Sequence, residues 1–316
     1  MDVDISGQEP EYDLLAWVRE TFRLHGLPEP GSIQLVHDWA LSKVYRVSTP
    51  EVDLYLKQVP PVFAAEPAIT RALWQLFPGN VPEPFVIDAR HGRMLMRDMG
   101  GELIDFGQIS DLEAVVSQLL RMQTTAMQHT DVLLQAGCMD RRPETMPAAL
   151  AELLTCASRL KLFGADEHAA LERVAPQLSE MCGELARGGI PSTLVHGDLH
   201  FWNVRKRGDQ IVVFDWTDAS ISDPFFDLSV LLRAKLPEQT APYRGRLIHL
   251  YLEGWRQECS DVDRVAALSE PLGALFQLLS YRRLVEAVAE HPDSEGLRRM
   301  TNFWVRETVR LMTRHG

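Results

Sequence analysis

Four residues between positions 196 and 215 have the types and spacing to do chemistry: His196, Asp198, Asn203 and Asp215. They lie in Leu194-Val-His-Gly-Asp-Leu-His-Phe-Trp-Asn-Val204 and Ile211-Val-Val-Phe-Asp-Trp216. Asp198 and Asn203 are five positions apart in a loop between apolar runs, and Asp215 ends the strand-like run Ile211 to Phe214. Gly208-Asp209 suits the turn between the two arms, so a hairpin would return Asp215 to the neighbourhood of Asn203. A carboxylate and an amide carbonyl are hard oxygen ligands suited to Mg²⁺. Asp198 is then left free to accept a proton.

Phosphoryl transfer needs these parts. A metal neutralises charge on the phosphates while a base orients and deprotonates the attacking hydroxyl. Protein kinases use the spacing H-x-D-x-x-x-x-N followed by a metal-binding Asp on the next strand, and His196, Asp198, Asn203 and Asp215 reproduce that order. Taken with Ser222-Asp-Pro-Phe-Phe-Asp-Leu228, the segments HGDLHFWN and VVFDW resemble the aminoglycoside phosphotransferase and choline kinase family. Its usual pattern is close to HGDLHxxN, then DW or DF, then DPxxDL. The resemblance implies Asp198 as catalytic base and Asn203 and Asp215 as Mg²⁺ ligands. It implies Asp227 as a buried carboxylate bracing the catalytic loop, and His196 as structural support for that loop. His200 is expected to be structural as well. Trp202 is expected in packing, at a place where it could also line the acceptor pocket.

These groups need elements to position them. Short β-like runs cover Ile33 to Val36, Val44 to Val47 and Val52 to Val59, and a helical stretch runs from about Ala65 to Phe77. Two more strand candidates follow, Phe85 to Asp88 and Arg93 to Met96. In the run from Val52 to Lys57 the side chains alternate: Val52, Leu54 and Leu56 face one way, Asp53, Tyr55 and Lys57 the other. Lys57 resembles the family's nucleotide lysine, which implies that it holds the α- and β-phosphates of ATP or GTP and pairs with Glu66. No G-x-G-x-x-G is present. Asp38-Trp-Ala-Leu-Ser-Lys-Val-Tyr-Arg-Val47 is instead similar to the glycine-poor, serine-containing loop of antibiotic kinases, which implies Ser42 at the β-phosphate. Arg93-Met-Leu-Met-Arg-Asp-Met-Gly-Gly101 looks like the family's hinge, so the base would meet the backbone around Met96 to Met99. Arg97 stands where an acidic residue is common, which leaves the choice of base open.

The remaining chain is helical in character over 110–187 and 224–316, with a β-like hairpin region from Leu194 to Phe214. Residues 11–24 read as an added amphipathic helix ended by His25-Gly26-Leu27-Pro28. The expected fold is therefore α+β and bilobal, like a protein kinase. Residues 1–100 would form a small nucleotide-binding lobe with a mixed β-sheet (1–30 being the added helix), and 101–316 a larger, mainly helical catalytic and acceptor-binding lobe.

Composition supports an ordinary globular enzyme, with 46% apolar and 24% charged residues among 316. A net charge of -12 disfavours nucleic-acid partners. It would favour a cationic acceptor only if the carboxylates line the right cleft, and Asp218, Asp223, Glu253, Glu258 and Asp261 are the candidates. Alternatively Trp202, Trp216, Tyr251 and Trp255 could form a cation–π box for a quaternary amine. Cys138, Cys156, Cys182 and Cys259 are scattered, as reduced thiols would be. No apolar run approaches the roughly 20 residues that span a bilayer, and the acidic start MDVDISGQEPEYD is unlike a secretory signal, so the cytoplasm is expected. The acceptor would be an aminoglycoside-type antibiotic or a metabolite such as choline, homoserine or a sugar. A pseudokinase usually lacks the base, the lysine or a metal ligand, and this sequence has all three. A peptide kinase is disfavoured because A-P-E is absent and Asp215-Trp216 replaces D-F-G. Oligomeric state is left open.

Overall fold

The computed structural model of the chain describes residues 9–50, 53–188, 190–231, 240–288, 291–292 and 294–315. Val52, at the start of the expected third strand, lies outside the described residues, as does the stretch 1–8.

The first helix, α1 (Glu9–Leu24), repeats Leu14, Val18 and Phe22 at four-residue spacing along one face. That face is buried against Tyr45, Val47, Leu54, Leu56 and Leu95. Gly26, at φ 64°, turns the chain out of the helix, and the Leu27 N–H donates to the Phe22 carbonyl at 2.9 Å. The sheet beneath α1 has five antiparallel strands: β1 (Ser32–Trp39), β2 (Ser42–Ser48), β3 (Asp53–Gln58), β4 (Pro84–Asp88) and β5 (Arg93–Arg97). Their spatial order is β1-β2-β3-β5-β4. In β3, Leu54 and Leu56 face α1, which leaves Lys57 for the opposite face.

That opposite face meets α2 (Glu66–Leu76). The buried side chains of α2, including Ile69, Ala72 and Leu73, do not join the α1 core. They belong to the larger core that runs through the C-terminal half, so α2 is carried by both halves of the molecule.

The expected helical stretch 110–187 is broken. β6 (Glu102–Leu103) is followed by α3 (Ile109–Ala126), α4 (Thr130–Gln135), a two-residue strand β7 (Met139–Asp140), α5 (Met146–Leu160) and α6 (Ala165–Arg187). Gly137, at φ 107°, ends the turn after α4 and sends the chain into β7. The expected hairpin between Leu194 and Phe214 is divided too. Only β9 (Val204–Arg207) and β10 (Gln210–Val213) form it, around Gly208-Asp209, with β6 beside β9. β8 (Thr193–Val195) instead pairs with β11 (Ser220–Ser222), which also takes β7. The segment 196–203 thus spans the gap between two small sheets.

Helices complete the chain: α7 (Phe226–Leu231), α8 (Arg244–Trp255), α9 (Val262–Ala287) and α10 (Ser294–His315). The architecture is α+β, a β-sheet region followed by a mainly helical part, as expected. All four cysteines are free and buried. Among the described residues, no helix is long and apolar enough to cross a membrane.

Phe22 is 1% exposed, so Phe22→Ala should cost about 3–5 kcal/mol through lost burial and the cavity left behind. Thermal unfolding would show this as a lower Tm, and an unchanged Tm would mean that α1 does not stabilise the sheet.

Candidate active site

Lys57 leaves β3 on the face turned from α1, and its Nζ donates to Glu66 Oε1 at 2.7 Å and to Asp215 Oδ1 at 2.9 Å. Glu66 is the first residue of α2, and Pro67 behind it is tolerated because a first-turn N–H has no helical partner. A carboxylate there also complements the helix dipole. Burial works against the Lys57 ammonium, yet the charges of Asp215 and Glu66 outweigh it and hold the lysine above its ordinary range. Lys57 is thus a fixed cation between two carboxylates.

Asp215 lies two residues beyond β10, with φ 66°. Aspartate is one of the few side chains that tolerate this left-handed conformation. The approach is fixed by Val213 N–H donating to the Asn80 carbonyl at 2.8 Å and Phe214 N–H to the Asn203 carbonyl at 3.0 Å. Burial raises the Asp215 carboxyl, but Lys57 and the Thr217 hydroxyl, 3.0 Å away, bring it down to about 2. Both donors bind Oδ1. Oδ2 accepts no hydrogen bond among the described residues, and the side chain is 37% exposed.

On the catalytic loop, Asn203 Nδ2 donates to the Asp198 carbonyl at 3.1 Å, which directs Oδ1 away from the loop. The free oxygens of Asn203 and Asp215 are hard donors from adjacent segments, and they fit a divalent ion that takes its other ligands from phosphates and water. No cluster of three or more His, Cys, Asp or Glu side chains suited to a metal occurs among the described residues.

The Asp198 carboxylate is 43% exposed, with His200 Nε2 3.5 Å from Oδ2. Burial lowers the His200 pKa, but Asp198 more than offsets this and the net shift is upward. His200 therefore stands against the Asp198 carboxylate, a contact beyond the purely structural role expected of it. His196 is a strut. Its Nε2 donates to the Phe214 carbonyl at 2.9 Å and its Nδ1 accepts the Asp198 N–H at 3.3 Å. That pattern requires the neutral ring, and burial lowers its pKa accordingly.

Asp227, fully buried in the first turn of α7, accepts the N–H groups of His196 at 3.0 Å and Gly197 at 2.9 Å. Burial pushes its carboxyl up to about 7 against the pull of those donors. Gly197 has φ 86°, and a Cβ there would lie 2.7 Å from the Asp218 carbonyl, so only glycine fits. Gln123 and Gln277 escaped the sequence reading, as did the supporting role of Tyr251. Gln123 Nε2 donates to Asp227 Oδ2 at 3.1 Å, Gln277 Nε2 donates to the Gly197 carbonyl at 2.6 Å, and the Tyr251 hydroxyl bonds Gln123 and the Pro224 carbonyl. For Gln123 the available signal was a polar side chain among the apolar residues Val115, Val116, Leu119 and Met122 of the buried face of α3, which also holds Gln118.

The nucleotide-side residues are arranged as follows. A tight two-residue turn, Ala40-Leu41, joins β1 to β2, and Ser42 stands just past it, opening β2 and paired with Trp39. Met96 is buried in β5 opposite Tyr55, and Met99 lies in the following loop, where its carbonyl accepts from Arg207 at 3.4 Å. Arg97 points outward to Glu83 at 3.1 Å and over Phe85.

Three of the four aromatic residues that could have formed a cation–π box are packed instead. Trp216, Tyr251 and Trp255 are core residues at 1%, 0% and 0% exposure, and Trp202 alone is exposed, at 62%. The C-terminal carboxylates do not converge either. Asp223 is buried on the Ser269 hydroxyl and the Phe225 N–H, and Glu253 pairs with Arg256. Of the five, Asp218 stands against the catalytic loop.

The sequence profile of the phosphotransferase enzyme family (APH) matches residues 32–259. No curated protein matches the chain in sequence. Solved structures with a similar fold include a choline/ethanolamine kinase family protein from Mesorhizobium loti, at TM-score 0.60 and 17% identity over 89% of this chain and 88% of that one. Macrolide 2'-phosphotransferase MphH from Brachybacterium faecium aligns at TM-score 0.60 and 18% identity over 90% and 96% of the two chains. Amicoumacin kinase hAmiN, in complex with AMP-PNP, Ca²⁺ and amicoumacin, aligns at 0.59 and 19% over 95% and 96%.

Replacing Asp227 by Ala strands two buried backbone donors, each worth about 1–3 kcal/mol. Asp227→Ala should therefore lower Tm by several degrees, measured by calorimetry. A Tm within one degree of the parent would show that the loop holds itself.

Proposed function

The chain belongs to the phosphotransferase enzyme family, and from that premise we propose that it transfers the γ-phosphoryl group of ATP or GTP to a hydroxyl of a small-molecule acceptor. The observation that carries this reading is the juxtaposition of Lys57, held between Glu66 and Asp215, with an exposed Asp198 and two unpartnered oxygens on Asn203 and Asp215.

In this reading Asn203 Oδ1 and Asp215 Oδ2 hold Mg²⁺, which supplies charge neutralisation on the phosphates when bound. Lys57 steadies the α- and β-phosphates, with Ser42 beside them, and the backbone from Met96 to Met99 meets the base. Asp198 orients the acceptor hydroxyl and takes its proton. The bond from that oxygen to the γ-phosphorus forms as the bond to the β–γ bridging oxygen breaks, releasing ADP or GDP. His196 and Asp227 position the loop without touching substrate. The buried Lys57 clamp and the neutral His196 strut leave Asp198 as the exposed carboxylate of the loop, which suits a base. Aminoglycoside-type antibiotics are the first acceptors to try, with choline, homoserine and sugars as the metabolic alternatives. We place the reaction in the cytoplasm, where nucleoside triphosphates are available.

The test is Mg²⁺-dependent ADP or GDP release with kanamycin, erythromycin, choline, homoserine and glucose as acceptors. Asp198→Asn should reduce acceptor-stimulated release by about 10²–10⁴-fold, the usual contribution of a general base, with nucleotide affinity nearly intact. Turnover at the parent rate in that variant would sink the assignment. Asp215→Ala should instead weaken Mg²⁺-nucleotide binding, read by calorimetric titration, and unchanged affinity would remove Asp215 from the metal site.

A further inference from the structure

The two carboxylates that hold Lys57 are joined by a helix fixed at both ends. Glu66, the first residue of α2, meets the lysine at 2.7 Å. The turn that leaves the other end of α2, Phe77-Pro-Gly-Asn-Val81, bonds to β10. Asn80 makes that join twice. Its side-chain Nδ2 donates to the Ile211 carbonyl at 2.8 Å, and its backbone carbonyl accepts the Val213 N–H at 2.8 Å. β10 is the outer strand of its sheet, in the order β10-β9-β6, so Asn80 satisfies edge groups that no strand covers.

The turn is shaped for this contact. Phe77 and Val81 are buried in the larger core, and the Asn80 N–H donates to the Phe77 carbonyl at 3.0 Å. Gly79, between them, has φ 86°, and a Cβ there would lie 3.1 Å from the Gln210 amide at the start of β10. A closed ring of contacts results. It runs from Lys57 to Glu66, along α2 to Asn80, across to β10, and through Asp215 back to Lys57. Only Phe214 separates Val213 from Asp215, and its N–H is tied to the Asn203 carbonyl. The chain that delivers Asp215 is therefore bonded at Ile211, Val213 and Phe214 in turn. Asp215 needs that support, because its φ of 66° is a conformation that L-residues adopt at a cost.

We propose that Asn80 is a positioning residue for the metal side of the site: by pinning β10 to the end of α2, it sets Asp215 in register with Lys57 and Glu66. The proposal rests on the kinase reading above, in which Asp215 carries Mg²⁺, and names what holds that carboxylate in place. Asn80 takes no part in the chemistry, since its amide is spent on Ile211. With both ends of α2 tied, the phosphate side of the site is assembled before nucleotide arrives, which limits the ordering cost of binding.

Two variants test this. Asn80→Ala removes the amide, and Asn80→Asp keeps its shape but sets a carboxylate against the Ile211 carbonyl in place of a donor. The side chain is only half-buried, so both variants should keep the parent fold, checked by circular dichroism. Hydrogen exchange without nucleotide should be about three- to tenfold faster over 211–216 in both, the share of one hydrogen bond, with β8 and β11 unchanged. Calorimetric titration with the Mg²⁺ complex of AMP-PNP or GMP-PNP, whichever the parent binds, should give a Kd raised about three- to tenfold in both variants. With an acceptor from the panel above, nucleotide KM should rise by a like factor while acceptor KM holds at the parent value. A parent-like Kd in either variant overturns the positioning role and leaves the kinase reading standing. Exchange that rises equally in β8 and β11, or a rise in both KM values, does the same. A parent that binds neither nucleotide overturns both.

Discussion

The buried ammonium of Lys57 is the interaction on which the site depends. A charge taken out of water costs several kcal/mol unless it is paired at good geometry. Lys57 is paired twice, by a carboxylate from the start of α2 and by one from the segment after β10. These partners lie 9 and 158 positions away in the chain. The lysine is therefore satisfied only when the sheet, α2 and the C-terminal half are all in place. Because the apolar face of α2 belongs to the larger core, Glu66 is delivered by the packing of one half to a lysine delivered by the other. The same contacts tie the sheet, α2 and the C-terminal half together.

A second constraint works from below. The catalytic loop has no helix or long strand to hold it. Its backbone donors at His196 and Gly197 are met by Asp227, a side chain from a helix 30 residues on. Asp227 is anchored by Gln123, Gln123 by Tyr251, and the Gly197 carbonyl by Gln277. Buried polar networks of this kind are costly if half-satisfied and rigid if complete. Here rigidity serves the Asp198 carboxylate. It projects from a backbone fixed on both sides, by Asp227 behind it and by the Asn203 amide in front.

Much of this was legible in the sequence because it is local. Asp198, Asn203 and Asp215 lie within 18 positions, so spacing and one turn suffice to bring them together. Lys57 follows from strand alternation, which assigns it the face that Leu54 and Leu56 do not occupy. What was missed acts over distance or is too short to show a period. Gln277 reaches Gly197 across 80 residues, and no local pattern announces that. The strands β7 and β11, two and three residues long, are read by partners and not by composition. The aromatic residues left two readings open for a related reason. Trp216, Tyr251 and Trp255 have the right chemistry for a cation box, but residue type does not say which side of a helix or loop meets the core.

The same limit governs charge. A net charge of -12 says nothing of where the carboxylates stand. Glu253 is a surface ion pair and Asp223 is buried on hydrogen bonds. Asp218, the one that stands against the catalytic loop, is pushed up to about 6 by burial and, in part, by Asp198, while the Arg141 and Arg283 charges pull it back. Arg283 lies 3.8 Å from its Oδ1. Asp218 therefore sits among charges of both signs, with Asp215 adding to Asp198 against the two guanidinium groups. Net charge alone therefore does not fix how an acceptor would be oriented. Its orientation must come from short-range contact with the walls of the cleft, where packing, and not composition, decides which side chains are presented.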